Sequence, residues 1–223
     1  MTPITMIQTA CGPVYEAMLA AAEERHHAYC LANGAEFQTF IGVRRGFYPW
    51  HACYNRIVML HDLLEAGFDG WAMYLDADAV IRQQDFDLRR FLGKREGYAL
   101  IATLGTPDAP PWAINDGVFF LNFAHPMGPE IVRRWYASFH ANLTDKILAE
   151  AVAPWRYRDG SPFPGDQHLL QMELKRDPEL QAAVLHEDPR TMNHRGAKFI
   201  RQFLRSHGSP QERLAWIKEI AAS

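Results

Sequence analysis

The sequence predicts an α/β fold, a three-layer sandwich in which helices cover both faces of a mostly parallel central sheet. Residues 4–9 and 70–75 are short, nearly continuous apolar runs, the pattern of strands that are buried on both faces. Strands and helices alternate along the first half of the chain, as in βαβ units. A length of 223 residues suits one domain with a continuous core.

The elements follow one another in a simple order. In the first half we expect strands at residues 4–9, 36–42 and 70–75, a helix over 13–32 and a second helix that begins at Pro49 and ends before Gly67. Beyond residue 78 we expect a short helical turn at 86–91, strands at 98–103 and 114–123, a loop at 153–165 and helices at 129–142, 166–175 and 210–222. In such folds ligands bind at the carboxyl ends of the strands.

Composition excludes several classes of protein. A net charge of -3 and a pI near 6.4 give no general attraction to nucleic acid. The three cysteines form no C-x-x-C pair, which argues against a disulfide framework and a thiolate zinc site. No apolar stretch reaches the ~20 residues that span a bilayer, and the first residues lack signal-peptide features, so we expect a cytoplasmic protein.

Two acids, Asp76 and Asp78, follow the third apolar strand. In an extended backbone the side chains alternate, so both carboxylates lie on one side and Ala77 on the other. Paired carboxylates repel each other unless a cation lies between them, and oxygen ligands select Mg²⁺ or Mn²⁺. The alternative is a strand that ends in two solvated acids. Apolar neighbours on both sides favour the cation site, because unpaired charge at the edge of a core is costly.

Residues 74–81, Y-L-D-A-D-A-V-I, resemble the D-x-D strand of GT-A-fold glycosyltransferases, in which the acids bind a metal ion that grips the diphosphate of a nucleotide sugar. The resemblance is greatest to the galactosyl/mannosyl/xylosyltransferase group, with the glycogenin-like group as a cousin. Three later segments resemble further elements of these families in the expected order: the N-x-G-V strand (residues 115–122), the D-Q element (166–167) and the late H-x-G element (192–198).

The resemblance covers roughly residues 1–200 and implies one domain over 1–223. Residues 1–80 would form the nucleotide-binding half that ends in the D-x-D, 81–200 the half that binds sugar and acceptor, and 201–223 a C-terminal helix with Leu214, Ile217 and Ile220 inward. The late element departs from the family, since its spacing is tighter and the Pro-Trp that usually follows Lys198 is absent.

The resemblance assigns roles to eleven residues. The implied metal ligands are Asp76, Asp78 and His194. The implied contacts with the donor are Arg56, Asn115, Gly117, Gly196 and Lys198. The implied residues around the reacting sugar are Asp116, Asp166 and Gln167. Glycine at 117 would let the backbone approach the sugar closely.

Ordinary structural roles would also explain several of these residues. An N-D-G turn opening an edge strand would explain residues 115–117, a helix N-cap would explain Asp166, and a solvated helix charge would explain Arg56. A single histidine such as His194 is more often a surface or packing residue.

The activity that the resemblance implies is metal-dependent transfer of a hexose, by default from a UDP-sugar, to an acceptor hydroxyl. Such families transfer with retention at the anomeric carbon. Asp116 and Asp166 are the carboxylates that could act as a nucleophile, and a same-face displacement aided by Gln167 is equally consistent with the sequence. The acceptor could be a glycan, a lipid-linked sugar, a protein or a small molecule. Trp155, Arg156 and Tyr157 form a candidate acceptor platform, and the C-terminal helix could touch a membrane surface.

Three other functions remain open from sequence. D-x-D phosphatases carry the motif on their first strand, whereas here it follows the third. Nucleotidyltransferases usually have a glycine-rich loop after the first strand, and residues 9–12, T-A-C-G, match it poorly. A sugar-nucleotide-binding protein without turnover would keep the same residues, so a turnover assay is needed to distinguish it.

Overall fold

The structure, a computed structural model, describes residues 2–151 and 163–223. Its strands are β1 (Ile4–Ala10), β2 (Glu36–Ile41), β3 (Trp71–Asp76), β4 (Ala79–Ile81), β5 (Leu100–Leu104), β6 (Ile114–Asn122), β7 (Val184–His186) and β8 (Ile200–Gln202). Its α-helices are α1 (Pro13–Ala32), α2 (Asn55–Glu65), α3 (Leu88–Gly93), α4 (Met127–Asn142), α5 (Asp145–Glu150), α6 (Asp166–Arg176), α7 (Pro178–Ala182) and α8 (Pro210–Ala221). Short 3₁₀ segments precede α2 at Pro49–Tyr54 and α8 at Arg205–His207.

A six-stranded sheet in the order β2-β1-β3-β6-β5-β7 forms the centre of the molecule, and β4 pairs with β8 in a separate two-stranded sheet. The pairs β1–β2, β1–β3 and β5–β7 are parallel, whereas β6 runs antiparallel to both of its neighbours. The predicted α/β fold with a mostly parallel sheet is therefore confirmed. Strand β6 enters between β3 and β5, and its first residues consequently lie beside the carboxyl end of β3.

Buried side chains pack on both faces of the sheet, as the apolar strands predict. One cluster joins β1, β3 and β6 to α2, α4 and α6 on one face, and a second joins the same strands to α1, α3 and β8 on the other. Helix α8 packs against α1 through a third cluster that contains Ile217 and Ile220. Both were expected to face inward, and Leu214 packs against the same cluster while partly exposed.

The main predicted elements are present, with ends shifted by one to a few residues. The sequence did not indicate β4, β7, β8, α5 or α7, which are between three and six residues long. Elements this short complete fewer than two helical turns or two alternations, so their periodicity is not distinctive. Residues 152–162, which include the predicted acceptor platform at Trp155, Arg156 and Tyr157, lie outside the described residues.

Two further expectations concern the cysteines and membrane spans. Cys11, Cys30 and Cys53 are free thiols. In the described ranges, every helix is too short or too polar to serve as a transmembrane segment.

A buried histidine joins α1 to the carboxyl ends of β1 and β4. The His26 side chain is fully buried; its Nε2 accepts the Ile81 N–H at 3.1 Å, so its Nδ1 carries the proton and donates to Gln8 Oε1 at 3.0 Å. Gln8 Nε2 in turn donates to the carbonyls of Asp76 and Ala79, the two ends of the turn that carries Asp78. Burial, and secondarily the Arg25 charge, lower the pKa of His26 to about 3.

This pKa predicts an acid-sensitive fold. An unfolded histidine has a pKa of about 6.5, so the His26 contribution is complete above that pH and is lost as the pH falls from about 6.5 towards 3. Over this window the free energy of unfolding should fall more steeply in the wild type than in His26→Gln, by at most about 1.4 kcal/mol per pH unit. Urea titrations at several pH values measure the difference. Equal slopes in the two proteins would show that His26 does not resist protonation.

Candidate active site

The carboxyl end of β3 places Asp76 and Asp78 at the edge of the sheet. Asp76 is the last residue of β3 and pairs with Thr9 of β1, and Asp78 lies in the turn that leads to β4. The Gln8 amide holds this turn from one side, and the Asp78 carbonyl accepts the Phe203 N–H from the other. The paired acids are thus fixed by the backbone, as the sequence predicts for a strand end.

A single buried guanidinium joins three acids of the site. Arg56, on α2, is 4% exposed, and its nitrogens lie 2.5 Å from Asp76 Oδ1, 3.1 Å from Asp116 Oδ1 and 3.0 Å from Asp166 Oδ2. The guanidinium also lies 4.4 Å above the centre of the Tyr74 ring. Arg56 is therefore not a solvated helix charge. It brings together acids from β3, β6 and α6 that are far apart in sequence.

A bulge in β6 places Asp116 in this cluster. Between Ala102 and Thr103 of β5 the partner on β6 jumps from Phe119 to Asn115, so Asp116 and its next two neighbours leave the β5 ladder. The displaced Asp116 carbonyl accepts a hydrogen bond from Arg56 Nη1. The backbone N–H of Asp116 donates to Gln167 Oε1 at 3.3 Å. Bulges commonly redirect side chains beside active sites, and this one delivers a carboxylate.

Asp166 enters the cluster as the first residue of α6. The N-cap of this helix is Gly165, so an N-cap role does not explain Asp166. The Asp166 carbonyl accepts a hydrogen bond from the Trp135 indole N–H at 3.0 Å. The Asp166 carboxylate contacts Arg56, and the residue as a whole is 4% exposed. Two helices therefore fix the acid that the D-Q resemblance singled out.

Two residues without a predicted role complete the surroundings of the paired acids. Gln202 on β8 is 1% exposed, and its Nε2 donates to Asp76 Oδ2 at 3.0 Å and to Asp78 Oδ1 at 3.2 Å. Arg213 on α8 is 3% exposed, and its Nη1 lies 2.9 Å from Asp78 Oδ2. The sequence did hold a signal for Arg213. It lies four positions before Ile217 and seven before Ile220, so helical periodicity places it on the buried face of α8.

The acids of the cluster outnumber the cationic groups that face them. Burial raises the pKa of Asp76 to about 7 against the opposing effect of Arg56, and Asp78 raises it further. Burial also raises the pKa of Asp116 well above its usual range, again opposed by Arg56. Four carboxylates, those of Asp76, Asp78, Asp116 and Asp166, face two buried guanidiniums. A divalent cation beside Asp76 and Asp78 would favour their charged forms and offset the cost of burying them.

The donor atoms present also fit such a cation. Each of Asp76 and Asp78 directs one oxygen towards the Gln202 amide, and these are hard oxygen ligands of the kind that Mg²⁺ and Mn²⁺ prefer. The amide oxygen of Gln202 is buried and accepts no hydrogen bond in the part of the chain that the structure describes. An unpaired buried oxygen beside two acids is consistent with a site for a metal ion.

The predicted third metal ligand, His194, is not part of this group. Across residues 2–151 and 163–223, no three side chains of His, Cys, Asp or Glu are grouped so that they could hold a metal ion. His194 is exposed, and its Nδ1 accepts the Gly196 N–H at 3.0 Å, which folds the ring back onto its own loop. Asn193, with a φ of 62°, begins this turn. The structure therefore does not bring His194 together with Asp76 and Asp78.

The loop that follows Asn193 stays at the surface. Gly196 and Lys198 are both exposed, and the Lys198 N–H donates to the Arg190 carbonyl. Burial, and then the nearby charge of Arg195, lower the pKa of His207. The exposed residues of this loop include the basic Arg195 and Lys198, although the D-x-D cluster itself is acidic.

Asn115 and Gly117 serve the local structure of β6. The Asn115 Oδ1 accepts the Gly117 N–H at 2.9 Å, and the Asn115 carbonyl accepts from Asn193 Nδ2 at 3.4 Å. A Cβ on Gly117 would lie 2.3 Å from Gln202 Nε2, so the space that glycine leaves is filled by the Gln202 amide. Gly117 therefore makes room for Gln202, and the expected approach of a sugar to its backbone stays a prediction.

Gly117→Ala is accordingly expected to destabilise the protein by about 1–3 kcal/mol, because the added methyl group overlaps a buried side chain. Gly97→Ala, where an added Cβ meets nothing within 4 Å, is the matched control and should change little. Urea unfolding measures both. In a Gln202→Ala background the cost of Gly117→Ala should shrink, since the overlapping amide is gone. An undiminished cost would contradict this packing.

Neither a protein-family model nor a curated protein matches this sequence. Solved structures match it over nearly the whole chain. A glycosyltransferase involved in the glycosylation of the major capsid of PBCV-1 superimposes with a TM-score of 0.67 at 17% identity, covering 97% of this chain and 99% of that one. The galactosyltransferase LgtC, solved with donor and acceptor sugar analogs, superimposes with a TM-score of 0.54 at 12% identity, covering 98% and 95%.

These likenesses define the class of fold. The chain has the GT-A glycosyltransferase fold that its D-x-D strand predicts. Each superposition covers nearly the full length of this chain and of the solved structure. At 12–17% identity the comparison concerns the fold, and the activity has to be argued from the site.

Proposed function

We propose that this protein is a glycosyltransferase that moves a hexose from a nucleotide diphosphate sugar, by default a UDP-hexose, to an acceptor hydroxyl. The observation that carries the proposal is the cluster of four acids at the carboxyl end of β3, three of them joined by Arg56, in a glycosyltransferase fold. Such a cluster is costly to maintain, because each buried carboxylate must be stripped of water. A site that binds a cation and polar hydroxyl groups would explain why the fold carries this costly cluster.

The proposed donor lies across the carboxyl ends of β1, β2 and β3, where ligands of open α/β sheets bind. A divalent cation, Mn²⁺ or Mg²⁺, would be held by Asp76 and Asp78 and would neutralise the charge that develops on the leaving diphosphate. The exposed basic surface around Gly196 and Lys198 would meet the same diphosphate, Gly196 through its open backbone and Lys198 as a point charge.

The sugar would lie against the acids of β6 and α6. Asp116 Oδ2 is buried and accepts no hydrogen bond within the described residues, so it is available to a sugar hydroxyl. Arg56 holds the remaining oxygens of Asp116 and Asp166 in fixed positions, and the Asp116 N–H does the same for Gln167. Asn115, at the start of the same bulge, would present its amide to the donor.

This arrangement favours retention by a same-face displacement. A carboxylate that is paired with a buried guanidinium is a weaker nucleophile, because attack would separate it from its counter-charge. Asp116 and Asp166 are both paired in this way with Arg56. We therefore assign them to binding and ordering the sugar, with Gln167 beside the reacting carbon, and leave the attack to the acceptor hydroxyl.

The acceptor is proposed only by class: a glycan, a lipid-linked sugar or a small molecule that carries a hydroxyl group. A cytoplasmic location and a peripheral membrane contact through α8 belong to the same proposal. Arg213 and Ile217 lie on the buried face of α8, so a membrane surface would contact the opposite, exposed face of this helix.

A turnover assay tests the proposed function. The purified protein is incubated with UDP-, GDP- and dTDP-sugars in Mn²⁺ or in chelator, and released nucleoside diphosphate is measured with and without candidate acceptors. We expect slow hydrolysis of one donor, faster release with an acceptor, and loss of both in chelator. Binding of a donor without any release would instead indicate a sugar-nucleotide-binding protein, and release of inorganic phosphate from phosphate esters would indicate a phosphatase.

A further inference from the structure

We infer that Gln202 supplies the third protein oxygen to the divalent cation, in the place that sequence resemblance gives to His194. This inference rests on the proposed function only in its choice of cation. It concerns the ligand set of the D-x-D site and can be tested with the metal ion alone.

The Gln202 amide lies between the two acids, and its Nε2 is 3.0 Å from Asp76 Oδ2 and 3.2 Å from Asp78 Oδ1. Neighbouring ligand oxygens around an octahedral Mg²⁺ or Mn²⁺ with metal–oxygen distances of about 2.1 Å lie about 3.0 Å apart. The amide therefore stands at the separation from both carboxylates that a third ligand of the same ion would have.

The Gln202 amide donates its N–H groups to the acids, while its oxygen is buried with no donor in the described ranges. A half-turn about the Cγ–Cδ bond exchanges the two atoms and directs the oxygen to the position between the acids. With a cation there, the oxygen gains a positive partner and the two carboxylates remain satisfied. The same half-turn without a cation would set three oxygens against one another.

Neighbouring elements of the fold hold the Gln202 side chain in place. Gln202 pairs with Ala79 in the β4–β8 ladder, which ties it to the turn that carries Asp78. Gly117 leaves the space that the amide fills, since a Cβ there would overlap both amide atoms. Rigid elements on two sides thus hold the amide in place, as the ligands of a metal site require.

His194 lacks these properties. Its Nδ1 is engaged by the Gly196 N–H, its side chain is exposed, and it forms no group with Asp76 and Asp78 that could hold a metal ion. Its replacement by alanine should therefore leave metal binding intact.

The test is Mn²⁺ binding followed by electron paramagnetic resonance, in which the signal of free aqueous Mn²⁺ falls as the ion binds. Gln202→Leu is expected to raise the Kd for Mn²⁺ at least about tenfold, in line with the effects of disturbing metal-site residues. Gln202→Glu, which is the same size and supplies an oxygen, should bind as tightly as the wild type or more tightly. His194→Ala should change the Kd by less than about threefold. Circular dichroism checks that each variant is folded.

Pulsed measurements on bound Mn²⁺ identify the ligand directly. A coordinated imidazole nitrogen gives a ¹⁴N modulation, which we expect to be absent from the wild type and present in Gln202→His. A wild-type ¹⁴N modulation that vanishes in His194→Ala would overturn the inference, as would unchanged Mn²⁺ affinity in Gln202→Leu or no Mn²⁺ binding by the wild type.

The experiments distinguish failure of the proposed function from failure of this inference. Mn²⁺ bound through Gln202, with no sugar nucleotide bound or consumed, would keep the inference and contradict the transferase. Turnover of a donor by a wild-type protein that binds no Mn²⁺ would keep the transferase and contradict the inference.

Discussion

Replacing Arg56 with methionine is expected to lower the free energy of unfolding by about 3–5 kcal/mol, the usual cost of removing one partner from a buried ion pair. The guanidinium is 4% exposed and contacts Asp76, Asp116 and Asp166, so its loss leaves three carboxylates close together without their common counter-charge. Methionine is close in length and keeps most of the apolar packing, which restricts the change to charge and hydrogen bonds. Equilibrium urea unfolding measures the loss.

A matched control is available on the neighbouring surface. Arg44 pairs with Asp62, and the two side chains are 34% and 52% exposed. Arg44→Met should therefore cost less than about 1 kcal/mol, as exposed ion pairs usually do. Similar small losses in both variants would show that Arg56 does not organise the acid cluster.

Replacing Asp78 with asparagine is expected to reduce kcat/KM for the donor by about a hundredfold or more, because it removes one charged ligand of the proposed cation. Asparagine has the same shape, so the turn between β3 and β4 should persist. Its amide meets Gln202 on one side and Arg213 on the other, and one of these contacts is kept. Initial rates over a range of Mn²⁺ concentrations measure the effect, which excess Mn²⁺ should partly reverse if metal affinity is lost.

Asp69→Asn is the control for this change. Asp69 is exposed and lies just before β3, at the opposite end of the strand that leads to Asp76. Its replacement should leave kcat/KM unchanged. Asp78→Asn at the wild-type rate in the presence of Mn²⁺ would contradict the metal assignment.

The acids of the site could be predicted because they depend on local pattern. Asp76 and Asp78 end an apolar strand, and strand ends in α/β folds converge on the ligand site. Asp116 and Asp166 were found through resemblance, and the structure brings both to Arg56. The start of α6 at Asp166 was predicted, but the bulge in β6 that brings Asp116 to the same place was not, because the bulge has no distinctive residue pattern.

The contacts made by the last quarter of the chain could not be predicted in the same way. Gln202 reaches the acids only because β8 pairs with β4, and both strands have three residues. His194 was assigned by motif alone, and its position depends on the backbone at Asn193, whose left-handed φ turns the loop away. Long-range pairing of short segments decides both outcomes, and periodicity carries no information about it.

The most direct test of the account is thermal unfolding of the wild type and Asp78→Asn with a panel of sugar nucleotides, in Mn²⁺, Mg²⁺ and chelator. A donor at a hundredfold excess over its Kd stabilises the fold by about 2.7 kcal/mol, which for a chain of this size raises the Tm by about 5–10 °C. We expect such a shift with one nucleotide base, in metal ion only, and only in the wild type. A shift that persists in chelator and in Asp78→Asn would contradict a metal-dependent donor site at the end of β3.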